Sequence, residues 1–121
     1  MDTLLSHRTT EQVFQSYSEA FQARDLDAIA SNYATDAMYL MPDGPHVGRE
    51  AIRAAFSRIF TDLLPVRSRL DVLSTQIEGD IVVATWEAES PSLTVDWGTD
   101  TFIIQGGLIR YHTVVTHSAG E

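Results

Sequence analysis

Residues Leu93 to Thr116 read LTVDWGTDTFIIQGGLIRYHTVVT, and this stretch decides the fold class. Two runs rich in β-branched and aromatic residues flank Gly106-Gly107, a strong two-residue hairpin signal. Leu93 to Gln105 is expected to be one long strand and Leu108 to Thr116 the last. Working back toward the N-terminus, Ile81 to Glu89 reads as a strand closed by Ser90-Pro91-Ser92. Glu78-Gly79 is a tight turn before it. Val66 to Ile77 is another strand, in which Val66, Ser68, Leu70 and Val72 alternate with Arg67, Arg69 and Asp71. Consecutive strands with turn-length links pair antiparallel.

The N-terminal half is helical. Val13, Phe14, Tyr17, Ala20 and Phe21 form one apolar stripe at helical period over Thr9 to Arg24. Thr9 with Gln12 three residues on forms a capping box. Asp25 reads as the N-cap of a short second helix with Leu26, Ile29, Ala30 and Tyr33 turned inward. Ala37 to Met41 is a short strand, ended by Pro42-Asp43-Gly44-Pro45 and followed by a loop to Gly48. A third helix is expected over Arg49 to Leu64, with Ile52, Ala55, Phe56, Ile59, Phe60 and Leu63 as its stripe and Pro65 as its stop. The order helix, helix, strand, helix, then four strands predicts an α+β fold. Helices cover one face of a strongly bent antiparallel sheet, which makes a cone with an apolar interior. The 121 residues fit one domain, 1–121.

Composition excludes several chemistries. There is no cysteine, so disulfides, thiolate metal sites and cysteine nucleophiles are all absent. There is no lysine either: the eight cations are all arginine, which removes Schiff-base catalysis and a P-loop lysine. A net charge of −9 argues against nucleic-acid binding. No apolar run reaches the length of a membrane span, and Met1 to Thr10 lacks the apolar core of a signal peptide, so a cytoplasmic protein away from membranes is expected. His7, His46, His112 and His117 match no metal-ligand spacing, so no metal and no cofactor is expected.

Several strings resemble the SnoaL-like and ketosteroid-isomerase-like branches of the nuclear transport factor 2-like superfamily. They are Tyr17-Ser-Glu-Ala-Phe21, Arg24-Asp-Leu-Asp-Ala-Ile29, Tyr33-Ala-Thr-Asp-Ala37, Pro42-Asp-Gly-Pro, Gly48-Arg-Glu-Ala-Ile-Arg53 and Asp100-Thr-Phe-Ile-Ile-Gln-Gly-Gly-Leu-Ile109. The resemblance spans nearly the whole chain. It implies the cystatin-like cone, and it leaves the reaction open, because this fold hosts isomerases, cyclases, dehydratases, epoxide hydrolases and non-enzymes.

What the resemblance implies for chemistry is partial. In members similar to ketosteroid isomerase a carboxylate moves a proton, while a tyrosine and a protonated aspartic acid donate to the oxyanion; a carboxyl group kept neutral in an apolar site is a documented pattern of that enzyme. Tyr17 falls at the tyrosine position and Asp100 at the aspartic acid position. The base position falls on Met41, which takes no proton. The carboxylate that epoxide hydrolases of this fold carry on the last strand would fall near Val114. Glu87 and Glu89 lie on a strand that carries a polar group in some relatives, and their plain reading is a solvated face.

From the residues alone, Tyr17 is either a core tyrosine or a pocket donor, since a buried hydroxyl needs a partner in both cases. Asp100, beside Phe102, Ile103 and Ile104, must be paired or protonated if it points inward, and is an ordinary surface residue if it points outward. His112 is the candidate replacement base. Its direction depends on parity: a simple turn at Gly106-Gly107 opposes Asp100 to Thr113 and sends His112 to the other face, whereas a bulge brings His112 onto the face of Asp100. On the other face it is a half-exposed or dimer-interface histidine. Met41, Tyr39, Trp86, Phe56, Phe60 and Phe102 would line the cone and bind a small apolar molecule. The expected function is thus a cofactor-independent isomerase, cyclase or dehydratase acting on a carbonyl compound, or a non-catalytic binding or regulatory module. A homodimer through the open sheet face accompanies either.

Overall fold

The computed structural model describes residues 7–91 and 93–118. The outer ends of the expected 1–121 domain and Ser92 of the expected strand break lie outside the described residues.

The chain runs α1 (Thr10–Ala23), α2 (Leu26–Ser31), β1 (Tyr33–Met41), β2 (Gly44–Val47), α3 (Arg49–Arg58), a π-helical turn (Ile59–Leu63), β3 (Arg69–Glu78), β4 (Ile81–Glu89), β5 (Thr94–Gln105) and β6 (Leu108–His117). Helix α1 starts where its capping box predicts: the Gln12 amide donates to Thr9 Oγ1 at 3.1 Å, and the Thr9 amide donates to Gln12 Oε1 at 2.8 Å. It ends at Arg24, whose φ of 55° is left-handed. Asp25 caps α2 by accepting from the Ala28 amide at 3.1 Å.

All six strands form one curved sheet in the order β2-β1-β6-β5-β4-β3. The pairs β3–β4, β4–β5 and β5–β6 are antiparallel hairpin neighbours, as short links require. The sheet is not wholly antiparallel: β1 runs parallel to β6, with Tyr39 beside His112. A helix and four strands separate β1 from β6 in sequence, long enough for a parallel return. Register shifts interrupt β3–β4, β4–β5, β5–β6 and β1–β6, and each extra residue bends its strand.

Four boundaries differ from the sequence reading. Strand β1 begins at Tyr33 rather than Ala37, so Tyr33 is not on the second helix. That helix stops at Asn32, whose side-chain amide donates to Ala28 O and whose carbonyl accepts from the Ile109 amide of β6. Residues Gly44 to Val47 form β2 rather than a loop, and Pro45 is tolerated because β2 is an edge strand. The third helix leaves α geometry after Arg58: the Leu64 amide bonds five residues back to Ile59 O at 2.7 Å. Strand β3 begins at Arg69 rather than Val66, because Pro65 to Ser68 closes a turn with Arg67 at a φ of 84°.

The helices lie in the curve of the sheet. Val13 and Tyr17 of α1, Ile29 of α2 and Ile52 and Phe56 of α3 are buried with Tyr33, Val82, Phe102 and Ile109 of the sheet in one core. Each such apolar side chain contributes roughly 1.5–3 kcal/mol relative to exposure. Strand β3, at the edge, is exposed at every residue except Leu70. No helix among the described residues is long and apolar enough to cross a membrane.

Candidate active site

The mouth side of the cone is unfilled. A cavity of about 730 Å³ opens between α1, the π-helical turn and the inner faces of β3, β4, β5 and β6. Its wall is mostly apolar, with Phe14, Tyr17 and Phe21 of α1 facing Trp86, Val95, Phe102 and Val114 of the sheet. The wide turn after α3 contributes Ile59, Phe60 and Leu63 to the same wall, and π-type turns often serve sites in this way. All six expected lining residues take part: Met41, Tyr39, Trp86, Phe56, Phe60 and Phe102. Arg24 brings the cation of the wall, stacked 4.9 Å over the Phe60 ring while donating to the Leu64 and Pro65 carbonyls.

Asp100 lines this cavity from β5 with 17% of its side chain exposed. It points inward because Phe102 and Ile104, two and four residues on, are buried on the same face. Tyr17 lines the cavity from α1, on the buried stripe. Burial pushes the Tyr17 hydroxyl well above its usual range, and the nearby Asp100 charge adds to the effect. The Tyr39 hydroxyl is pushed up the same way, first by burial and then by Asp100. Both phenols therefore stay protonated.

The parity of His112 is decided by a bulge. Ile104 pairs with Ile109, but Ile103 pairs with Tyr111, so Arg110 is the extra residue. Beyond it Asp100 opposes Val114 rather than Thr113, and Phe102 opposes His112. His112 consequently shares the inner face with Asp100. It is fully buried and is not a wall residue of the cavity. Its ring is the middle of an aromatic row across three strands: Tyr39 lies at 4.1 Å and 4°, and Phe102 at 4.0 Å and 23°. Its Nδ1 lies 2.7 Å from the Tyr33 hydroxyl. Its Nε2 lies 3.5 Å from Asp100 Oδ1, in ion-pair range without hydrogen-bond geometry.

Buried polar atoms without a hydrogen bond are few in native proteins. Among the described residues there are four, and three of them belong to Asp100 (Oδ1), its neighbour His112 (Nε2) and the wall residue Trp86 (Nε1). Sequence reasoning placed Tyr33 on a helix and so missed its partnership with His112, which no local pattern signals. It also passed over Arg24 and Val114 as wall residues. Glu87 and Glu89 fall at alternate positions to the inward Trp86 and Ala88, and Glu89 faces Arg69 at 3.8 Å, as a solvated face would. A second, shallower depression of about 560 Å³ lies near Arg8, Gly79 and the Gly106-Gly107 turn, and Asp100 is not part of its wall.

The SnoaL-like domain family model matches residues 14–112. The chain belongs to the SnoaL-like family. That span holds most of α1, all of α2 and α3, the cavity wall up to His112 and all three polar residues of the site. No curated protein matches the chain. Among solved structures, it is similar to an NTF2-like protein of unknown function from Mesorhizobium loti, with 23% identity over 90% of this chain and 91% of that one and a TM-score of 0.77. It is also similar to a candidate ketosteroid isomerase from Kribbella flavida, with 18% identity over 93% and 80% of the two chains and a TM-score of 0.76. A candidate polyketide cyclase from Sinorhizobium meliloti aligns at 21% identity over 85% and 93%, with a TM-score of 0.73. At these identities the likeness is one of fold, and the SnoaL-like cone is common to proteins described as isomerase, cyclase and unknown.

Proposed function

We propose that this SnoaL-like protein is a cofactor-independent enzyme that moves a proton on a small, largely apolar carbonyl compound, in isomerisation, cyclisation or dehydration. One observation carries the reading. Asp100 is a carboxylate set in an aromatic wall, with neutral tyrosines around it and a cavity of about 730 Å³ before it, within the usual size of small-molecule sites. In this reading Asp100 takes a proton from the carbon beside the carbonyl. The Tyr17 hydroxyl donates to the oxygen as it gains charge. His112 has no surface in the cavity wall, so it acts on the proton transfer through Asp100. Met41 stands in the wall without a proton-accepting atom, which leaves the transfer to Asp100.

The test is exchange of α-protons of cyclic ketones in heavy water, followed by NMR, with binding of phenols as enolate mimics measured alongside. Wild-type protein should catalyse exchange, and Asp100→Asn should lower the rate by about 10²-fold or more while still binding phenols. Binding of both ligand classes with no exchange by the wild type would reduce the protein to a binding module. Binding of neither would remove the small-molecule reading.

The same proposal includes a homodimer through the outer face of the sheet. Ile81, Ile103 and Tyr111 lie in one row there across β4, β5 and β6. Ile81, Trp97, Tyr111 and Val115 are between 43% and 58% exposed, and such a face is normally covered.

A further inference from the structure

We infer that Tyr33 and His112 are positioning residues that set the proton inventory of Asp100, holding it as an accepting carboxylate aimed at the cavity. This rests on the proposed function and specifies its direction: Asp100 is the base, and neither an oxyanion donor nor a partner of a histidine base.

The inference follows from counting protons along Tyr33, His112 and Asp100. Burial keeps the Tyr33 phenol protonated, first by desolvation and then by the neighbouring Tyr17, Tyr39 and Asp100. Its hydroxyl lies 2.7 Å from Nδ1 of His112. If that hydroxyl donates to Nδ1, the single ring proton of neutral His112 sits on Nε2. Nε2–H is then the ring proton on the side of Asp100 Oδ1, 3.5 Å away, and a carboxylate is the acceptor that suits it. Every donor in the row is then used. The reverse arrangement has Nδ1–H donating to the phenol oxygen and a protonated Asp100 donating to Nε2. It leaves the Tyr33 proton without a described acceptor in a fully buried place. A doubly protonated ring strands that proton as well.

The surroundings hold the geometry. The Tyr33 carbonyl accepts two bonds from the Arg49 guanidinium, at 2.6 and 3.1 Å, which anchors the start of β1. The stacked neighbours of His112 leave its ring no room to turn edge for edge. In the proton transfer the substrate C–H bond breaks and an O–H bond forms on Asp100. The electron pair of the C–H bond passes to the enolate, and His112 keeps its one proton throughout. The product step returns the Asp100 proton to carbon.

Nitrogen-15 NMR of the histidine rings of the whole protein, with the His112 signals assigned through His112→Gln, reads the proton positions directly. The expected spectrum of the wild type has a bare Nδ1 and a protonated Nε2 on His112. In the ketone-exchange assay, Tyr33→Phe and His112→Asn should each lower kcat by about tenfold or more with KM changed by less than about twofold. His112→Gln, whose amide N–H sits where Nε2–H was, should recover most of that loss. A wild-type His112 protonated on Nδ1, or on both nitrogens, overturns the inference whatever the activity. So does equal loss in the Asn and Gln variants with their phenol binding intact. If the Nε2–H form is found and the wild type exchanges no ketone protons, the proposed function fails and the proton positions stand.

Discussion

The indole of Trp86 lies across Gly98, its partner on the neighbouring strand. A Cβ placed on Gly98 would fall 2.5 Å from Cε2 of that indole, closer than real contacts allow. Gly98 is therefore a spacer that lets a large ring lie flat in the cavity wall, and space rather than backbone conformation is what a side chain would violate. Gly98→Ala should push the indole into the cavity. In a Trp97→Phe background, where Trp86 is the sole indole, the emission should shift and phenol binding should weaken. Urea unfolding should show a cost of roughly 1–3 kcal/mol, typical of overpacking. An unchanged emission spectrum would mean that Trp86 does not hold this position.

The buried phenols predict a loss of stability at alkaline pH. Tyr17, Tyr33 and Tyr39 are all held above the usual range, chiefly by burial, so folding favours their neutral forms. A group whose pKa is raised on folding contributes its full stability below its unfolded value. It loses that contribution as the pH climbs toward the folded value. The expected window therefore opens at about pH 10, the unfolded phenol value. Tyrosinate absorbance and circular dichroism followed together should show these three ionising with the loss of structure. Ionisation of all three with the fold intact would contradict their burial.

Arg24 ties the cavity mouth together. It donates to the carbonyls of Leu64 and Pro65, stacks on Phe60, and sits in left-handed backbone at the end of α1. Removing the guanidinium with Arg24→Ala should cost about 1–2 kcal/mol in denaturant unfolding. Arg24→Gly loses the same contacts but relieves the left-handed backbone, so it should be more stable than the alanine variant by roughly 1 kcal/mol. Equal stabilities for the two variants would show that the strain is absorbed elsewhere.

The outer face of the sheet makes a prediction on assembly. Sedimentation of the wild type should give a dimer. A charge at its centre, Tyr111→Glu or Val115→Glu, should give a monomer that still binds phenols, because both residues point away from the cavity. A wild-type monomer at micromolar concentration would end the dimer proposal.

The local chemistry of the chain reached a long way. The capping box at Thr9, the cap at Asp25, the Gly106-Gly107 hairpin and the four late strands are short-range features, each set by residues within a few positions of one another. The wall of the cavity was legible too, since Phe56, Phe60, Trp86 and Phe102 fall on stripes that must face inward whatever the details. In two of the misses a distant partner decided. Tyr33 left its helix because β1 could add to β6 from that point, and Gly44 to Val47 became a strand because β1 offered it an edge.

By itself, then, the sequence determined the helices, five of the six strands, their order and which side chains are apolar enough to enclose a cavity, because those depend on local propensity and periodicity. The tertiary structure alone decided that His112 faces Asp100. Side chains alternate along a strand with a period of two, so one residue of bulge reverses every direction beyond it. The bulge at Arg110 has no local sequence mark, and its place is set by packing. The volume left open in front of Asp100 was likewise decided only by how far the helices and the bent sheet close on each other.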